Sequence, residues 1–177
     1  VGIIIQARMG SKRFPGKIMK KILNKPILFY MLNQIKKCKL YNKIIICTSK
    51  KKENDVIRKF CIKNKINCFS GDENNLVKRY YLAAKKFDID IIVRLTSDCP
   101  LIDPSIIDLC INKFLLNKYD FVANTSPPVN LTYPDGMDVE VFSIKTLQEV
   151  NLKCKSKNYL EHVTPYIWKK KKKFKQF

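Results

Sequence analysis

Three short runs of consecutive branched apolar residues constrain this chain more than anything else in it. They are VGIII at Val1–Ile5, KIIICTS at Lys43–Ser49 and IDIIVRL at Ile89–Leu95. An apolar run of this length with little alternation is a strand buried on both faces, which is the habit of parallel sheets flanked by helices. Helical spacing fills the gaps. Pro26 starts a helix carrying Ile27, Met31, Leu32 and Ile35 to about Cys38, and Glu53–Ile62 and Asn74–Phe87 follow the same periodicity. Further strands are expected at Ile66–Gly71, Asp120–Ser126 and Met137–Ser143, with a loop at Ser126–Gly136. Further helices are expected at Ser105–Leu116, Ile144–Lys153 and, disturbed by Pro165, Tyr159–Trp168. The expected fold class is α/β: a three-layer α/β/α sandwich around a mostly parallel sheet. With 177 residues and no linker or repeat, one domain over 1–177 is expected.

In such sheets ligands bind beyond the carboxyl ends of the strands. The loops after Ile5, Ser49, Ser70 and Leu95 should therefore share one rim. The first is the most informative. Gln6 leads into Arg8, Gly10, Ser11, Lys12, Arg13, Pro15, Gly16 and Lys17. Backbone N–H groups can approach an anion where Gly10 and Gly16 lack side chains, and the cations neutralise it. This is neither a Walker A loop, which has four residues between its glycines where Gly10 and Gly16 have five, nor a G-x-G-x-x-G fingerprint. Phosphate binding is the expectation.

Asp98, in RLTSDCP after the Ile89–Leu95 strand, falls on the same rim. A carboxylate beside a polyphosphate site makes sense if Mg2+ lies between them, since both offer hard oxygen ligands. Asp138 and Glu140, two residues apart in MDVEVFS, would share one face of a half-exposed strand. They can order a cation or sugar hydroxyls, or simply face solvent from a sheet edge. His162 stands alone in EHVTP, and its residue types leave a structural or a substrate-contacting role open.

The net charge of +20 invites a polyanion partner. Nearly all of it is lysine, however. Arginine, the usual reader of bases and phosphates, occurs only at positions 8, 13, 58, 79 and 94. The lysines recur on polar helix faces, as at Lys36, Lys37, Lys59, Lys63, Lys85 and Lys86, so a solvated surface is expected, with no specific nucleic-acid partner. Lys169–Lys173 reads as a solvated tail. No run reaches membrane-span length, and the seven cysteines, in odd number and mostly inside apolar segments, read as core thiols. A cytoplasmic location is expected.

The ordered segments IIIQARMGSKRFPGK, SGDENNLVKRYYLAA, VRLTSDCPLIDP, DGMDVEVFS and YLEHVTPYIW resemble the sugar-activating cytidylyltransferases. The version with Gln-Ala-Arg-Met-Gly-Ser looks like the spore coat polysaccharide biosynthesis protein F branch, related to acylneuraminate and KDO cytidylyltransferases. The resemblance implies a nucleotide-diphospho-sugar transferase fold of the glycosyltransferase-A type, Rossmann-like. It implies transfer of CMP from CTP to an acidic sugar with release of pyrophosphate, using Mg2+. By the same resemblance Ala7, Arg8, Gly10, Ser11, Arg13 and Lys17 hold CTP, with Arg8, Arg13 and Lys17 at the phosphates. Asp98 is the metal ligand and Arg94 braces its loop. Gly71, Asp72 and Arg79 lie on the nucleotide side, and Asp138, Glu140 and His162 toward the sugar. Relatives are commonly dimers, and strand Met137–Ser143 with its neighbours is a contact expected for a homodimer. Family members continue into a further strand and a T-x-D-x-x-x-D motif that supplies a second metal-binding aspartate, which 1–177 does not include. Two other functions compete on sequence grounds: a silent nucleotide- or polyanion-binding protein, and a glycosyltransferase. The second lacks the D-x-D that such enzymes often use, since Asp98 is followed by Cys99-Pro100.

Overall fold

The structure is a computed structural model describing residues 1–11, 13–125, 133–134, 136–154 and 156–177. The expected loop Ser126–Gly136 lies largely outside the described residues, as does Lys12. Chain order gives β1 (Gly2–Gln6), β2 (Lys21–Ile22), β3 (Lys25–Pro26), α1 (Ile27–Ile35), β4 (Lys43–Ser49), α2 (Asp55–Lys63), β5 (Asn67–Gly71) and α3 (Leu76–Lys86). There follow β6 (Ile91–Thr96), α4 (Pro104–Leu116), β7 (Phe121–Ala123), β8 (Glu140–Ser143), α5 (Ile144–Lys153), α6 (Lys157–Leu160) and α7 (Pro165–Trp168).

The main sheet has the order β5-β4-β1-β6-β8-β7, and β2 and β3 form a separate small hairpin. Strands β5, β4, β1 and β6 are parallel, whereas β8 runs antiparallel to both β6 and β7. Consecutive residues of β1 point into two different cores. Ile3 and Ile5 pack with Leu28, Met31, Ile57 and Ile107 on one face, and Ile4 packs with Val77, Tyr80, Leu147 and Ile167 on the other. Helices thus cover both faces of the sheet, as in a three-layer α/β/α sandwich, which explains why the strand is isoleucine at three successive positions.

Helix starts follow local chemistry. Asn75 accepts from the Lys78 amide at 2.8 Å to cap α3. Asp103 accepts from Ser105 at 2.8 Å to cap α4, with Pro104 at its first position. Each cap contributes about 1 kcal/mol.

Three expectations change. The strand expected over Met137–Ser143 begins only at Glu140, and Glu140, Val141 and Phe142 are buried. It lies inside the sheet between β6 and β7, so both of its edges are already paired and it is not a solvent-facing edge. The single helix expected over Tyr159–Trp168 is two short ones, because Pro165 starts α7 rather than interrupting a longer helix. The lysine run is exposed, but it does not end in a free tail. Phe174 is 3% exposed, and Phe177 exchanges backbone hydrogen bonds with Phe121 and Ala123, extending the sheet beyond β7. No disulfide forms among the described residues, and six of the seven thiols are buried.

Candidate functional site

The chain runs outward from β1 to β4 and β5, then returns to place β6 on the other side of β1. The crevice of a parallel sheet opens where the strand order reverses in this way. Gln6 and Thr96 are the paired last residues of β1 and β6, so the loops that follow them must lie side by side.

The first loop is held from three directions. The Ala7 amide donates to the Cys47 carbonyl at 3.0 Å, and the Met9 amide to Asn54 Oδ1 at 2.8 Å. Asn54 is fully buried and donates through Nδ2 to Ser49 Oγ at 2.7 Å. The Ser11 and Gly16 amides then both fold back onto the Met9 carbonyl, at 2.8 and 2.9 Å. Gly16 sits at φ +68°, a conformation that costs a residue with a side chain, which is why the turn closes on glycine. The short 3-10 turn Lys17–Met19 follows, with Ile18 buried, and Lys17 pairs with Asp98 of the neighbouring loop.

A cleft of about 800 Å3 opens over these loops. Among the sequence-derived residues, Ala7, Arg8, Gly10, Ser11, Arg13, Lys17, Arg79, Asp98 and His162 line it. Residues not singled out from sequence also line it, notably Lys51, Glu53, Glu73, Asn74, Thr96 and Glu161. The rule that the strand ends share a rim had pointed to the loops after Ser49, Ser70 and Leu95, but not to these side chains. Glu161 and His162 come from the distant segment between α6 and α7, and nothing local in sequence reveals that approach.

Gly71, Arg94, Asp138 and Glu140 do not line the cleft. Gly71 lies behind Arg79: a Cβ there would come within 2.8 Å of Arg79 Cγ. Arg94 forms an ion pair with Glu140 and donates to Gln6 Oε1 at 3.2 Å. Glu140 also accepts from Thr164 Oγ1 at 2.7 Å, tying the C-terminal segment to the sheet beneath His162. Asp138 precedes β8 and bonds the Thr125 hydroxyl.

Burial pushes the Asp98 carboxyl upward, but the hydrogen bond and charge of Lys17, aided by backbone and Thr96, outweigh it and hold it below the usual carboxylate range. Asp98 is therefore ionised at neutral pH. The whole chain's charge of +20 is not concentrated here. Arg8, Arg13, Lys17, Lys51 and Arg79 are set against Glu53, Glu73, Asp98 and Glu161, a net of only +1 among the charged lining residues that the structure describes. Such a mixed cleft can hold a polyphosphate together with a cation, and it is poorly suited to a bare polyanion track.

Comparison with known proteins gives the family. A family model described as cytidylyltransferase matches residues 2–177. An uncharacterized protein of Methanocaldococcus jannaschii is 37% identical over 98% of this chain and 69% of its own length. The spore coat polysaccharide biosynthesis protein SpsF of Bacillus subtilis is 30% identical over 93% of this chain and 68% of its own. A 3-deoxy-manno-octulosonate cytidylyltransferase of Trichlorobacter lovleyi is 36% identical, over 64% of this chain and 44% of that protein. Among solved structures, a cytidylyltransferase from Leptospira borgpetersenii superposes with a TM-score of 0.93 at 40% identity, covering 99% of this chain and 74% of that one. A CMP:2-keto-3-deoxy-manno-octonic acid synthetase complexed with CTP shares the fold, at a TM-score of 0.64 and 17% identity. The fold is that of a nucleotidyltransferase. The chain belongs to the cytidylyltransferase family.

Proposed function

We propose that the cleft binds CTP and an acidic sugar, transfers CMP to a sugar hydroxyl and releases pyrophosphate, as a step toward a surface polysaccharide. The observation that carries this reading is the meeting of the Ala7–Lys17 loop with Asp98 at the strand-order reversal, with Lys17 paired to Asp98. In this reading the sugar hydroxyl attacks the α-phosphorus in line. A new P–O bond forms, the α–β anhydride bond breaks, pyrophosphate leaves and the hydroxyl proton is released. Little covalent work falls to the protein, so positioning and charge dominate. Arg13 and Lys17 offset charge on the phosphates, and the backbone around Gly10 and Ser11 accommodates them. His162 and Glu161 approach from the β8 side, toward the sugar. Glu140 acts there through Thr164 rather than by contact.

The donor set fits Mg2+. Among the described residues no three His, Cys, Asp or Glu side chains gather as a closed metal cage. Magnesium is commonly held by only one or two carboxylates together with substrate phosphates, and ionised Asp98 offers such a carboxylate. Asp98 would hold the ion, which would supply further neutralisation of the triphosphate. Lys17, now on Asp98, would then turn to the phosphates.

The test is pyrophosphate release from each nucleoside triphosphate with Mg2+, alongside a panel of 3-deoxy-ulosonic and nonulosonic acids. Release that requires both CTP and one acid is the expected result. Release indifferent to nucleotide and sugar overturns the reading, and CTP binding without turnover by any acid supports a silent nucleotide-binding domain instead.

A further inference from the structure

We propose that the β2–β3 hairpin, together with Phe14, is a docking face for the surface of an anionic phospholipid bilayer, whichever nucleotide and sugar the cleft takes. Leu23 and Asn24 form the two-residue turn of that hairpin, at φ +46° and +65°. Both central residues of such a turn are left-handed, a conformation that glycine and asparagine adopt at least cost. Leucine adopts it only with strain. Leu23 is also 86% exposed, more than any other large apolar side chain among the described residues. Neither turn propensity nor core packing favours a leucine at this place.

The hairpin is rigidly held. Ile22 pairs with Lys25 across the strands, the Tyr30 hydroxyl donates to the Ile22 carbonyl at 2.6 Å, and the Ile27 amide donates to the Lys20 carbonyl at 3.0 Å. A preorganised tip loses little conformational freedom on docking. Ile22 and Phe14 are each half exposed, and Lys20 Nζ lies 5.8 Å from the centroid of the Phe14 ring, so loop and hairpin present one surface. Arg13, Lys20, Lys21 and Lys25 are exposed on it. None of the four is ion-paired to a carboxylate among the described residues, and no Asp or Glu precedes Glu53 in the chain.

Three apolar side chains among uncompensated cations fit a partner with an anionic surface over an apolar interior. A bilayer containing anionic lipids offers both within the reach of a side chain. A nucleic acid offers the charge, but the aliphatic tip residues have no ring to stack on its bases. A second copy of this face offers apolar contact but sets cation against cation. Arg13, beside Phe14, also lines the cleft, so docking here holds the cleft close to the lipid surface.

The experiment is co-sedimentation of the chain with vesicles of phosphatidylcholine alone and of phosphatidylcholine mixed with phosphatidylglycerol. Binding to the mixed vesicles only is expected, falling steeply as salt is raised from about 0.1 to about 0.5 M. Leu23→Asn puts a residue suited to the turn at its first central position. Its melting temperature should hold or rise while vesicle affinity falls about tenfold or more. Lys21→Gln combined with Lys25→Gln should weaken binding about 25-fold, at about fivefold per lysine. Failure to bind the mixed vesicles, or equal binding to both kinds, overturns the proposal. Unaltered binding by both hairpin variants overturns it too and assigns the attraction to lysines elsewhere, such as Lys169–Lys173. In that case, loss of RNA binding in the same variants would assign the face to nucleic acid, and loss of self-association in ultracentrifugation to a second copy.

Discussion

Asp98 shows how much one side chain can do at neutral pH. Its ionised carboxylate faces Lys17, and both project into a cleft whose charged lining is nearly balanced. The carboxylate repels phosphates unless a cation intervenes, so its removal should separate binding from chemistry. Asp98→Asn is expected to lower turnover about 100-fold or more. Affinity for CTP measured in EDTA should hold or rise, because a repulsive charge has gone. Comparable loss in both measurements would mean that Asp98 builds the cleft rather than serving the reaction. Among the sequence-derived residues, Asp98 was legible because a strand and a strand-end loop frame it. Glu73, which also lines the cleft, was not, because the cations that hold its carboxylate there are Arg8 and Lys51, residues far from it in sequence.

At the scale of elements, the phosphate loop depends on a residue outside it. Buried Asn54, just before α2, accepts from the Met9 amide and donates to Ser49. Asn54→Ala leaves both partners unsatisfied and should cost about 1–3 kcal/mol in urea unfolding. It should also weaken CTP binding, since Met9 anchors the turn that ends at Gly16. Unchanged affinity would show that the loop is held by its own turn alone. The entry to α3 has a comparable device. Asp72 Oδ1 accepts from the Asn75 and Asn74 amides at 2.9 and 2.8 Å, and these bonds, Asn75 first, lower its pKa below 3.8. A depressed carboxyl contributes stability that is present above the unfolded value and lost as pH falls through the folded one. The turn carrying Glu73 should therefore stay intact at pH 5 and loosen only as pH falls below the usual carboxylate range. NMR titration of the Asn74 and Asn75 amides checks this, and an ordinary carboxyl midpoint would contradict it.

Across the whole molecule, the Arg94–Glu140 pair joins pieces that are distant in the chain. It connects β6 to β8, reaches Gln6 at the end of β1, and through Thr164 fastens the segment that bears His162. Breaking a buried pair strands a charge, so Glu140→Ala should destabilise the fold by about 3–5 kcal/mol in urea unfolding. The paired replacement Arg94→Met with Glu140→Met should recover much of that loss. A cost below about 1 kcal/mol for Glu140→Ala would show that water reaches the pair. The +20 net charge lies mainly outside the cleft, on lysines of the helices and the Lys169–Lys173 run.

The sequence alone determined the parallel half of the sheet, because isoleucine at successive positions of β1 and β4 can only be buried on both faces. It also placed the basic loop and Asp98 on one rim, because strand ends are local features that parallel order brings together. It mistook β8 for a half-exposed strand because Asp138 and Glu140 interrupt its apolar pattern. In the folded chain Glu140 is neutralised by Arg94, a partner 46 residues away, and so the interruption does not mean exposure. Only the tertiary structure decided that β8 is paired on both edges, between β6 and β7, that the segment around His162 reaches the cleft, and that Glu73 lines it beside Arg8 and Lys51. Each depends on contacts between groups far apart in sequence, which local periodicity does not encode.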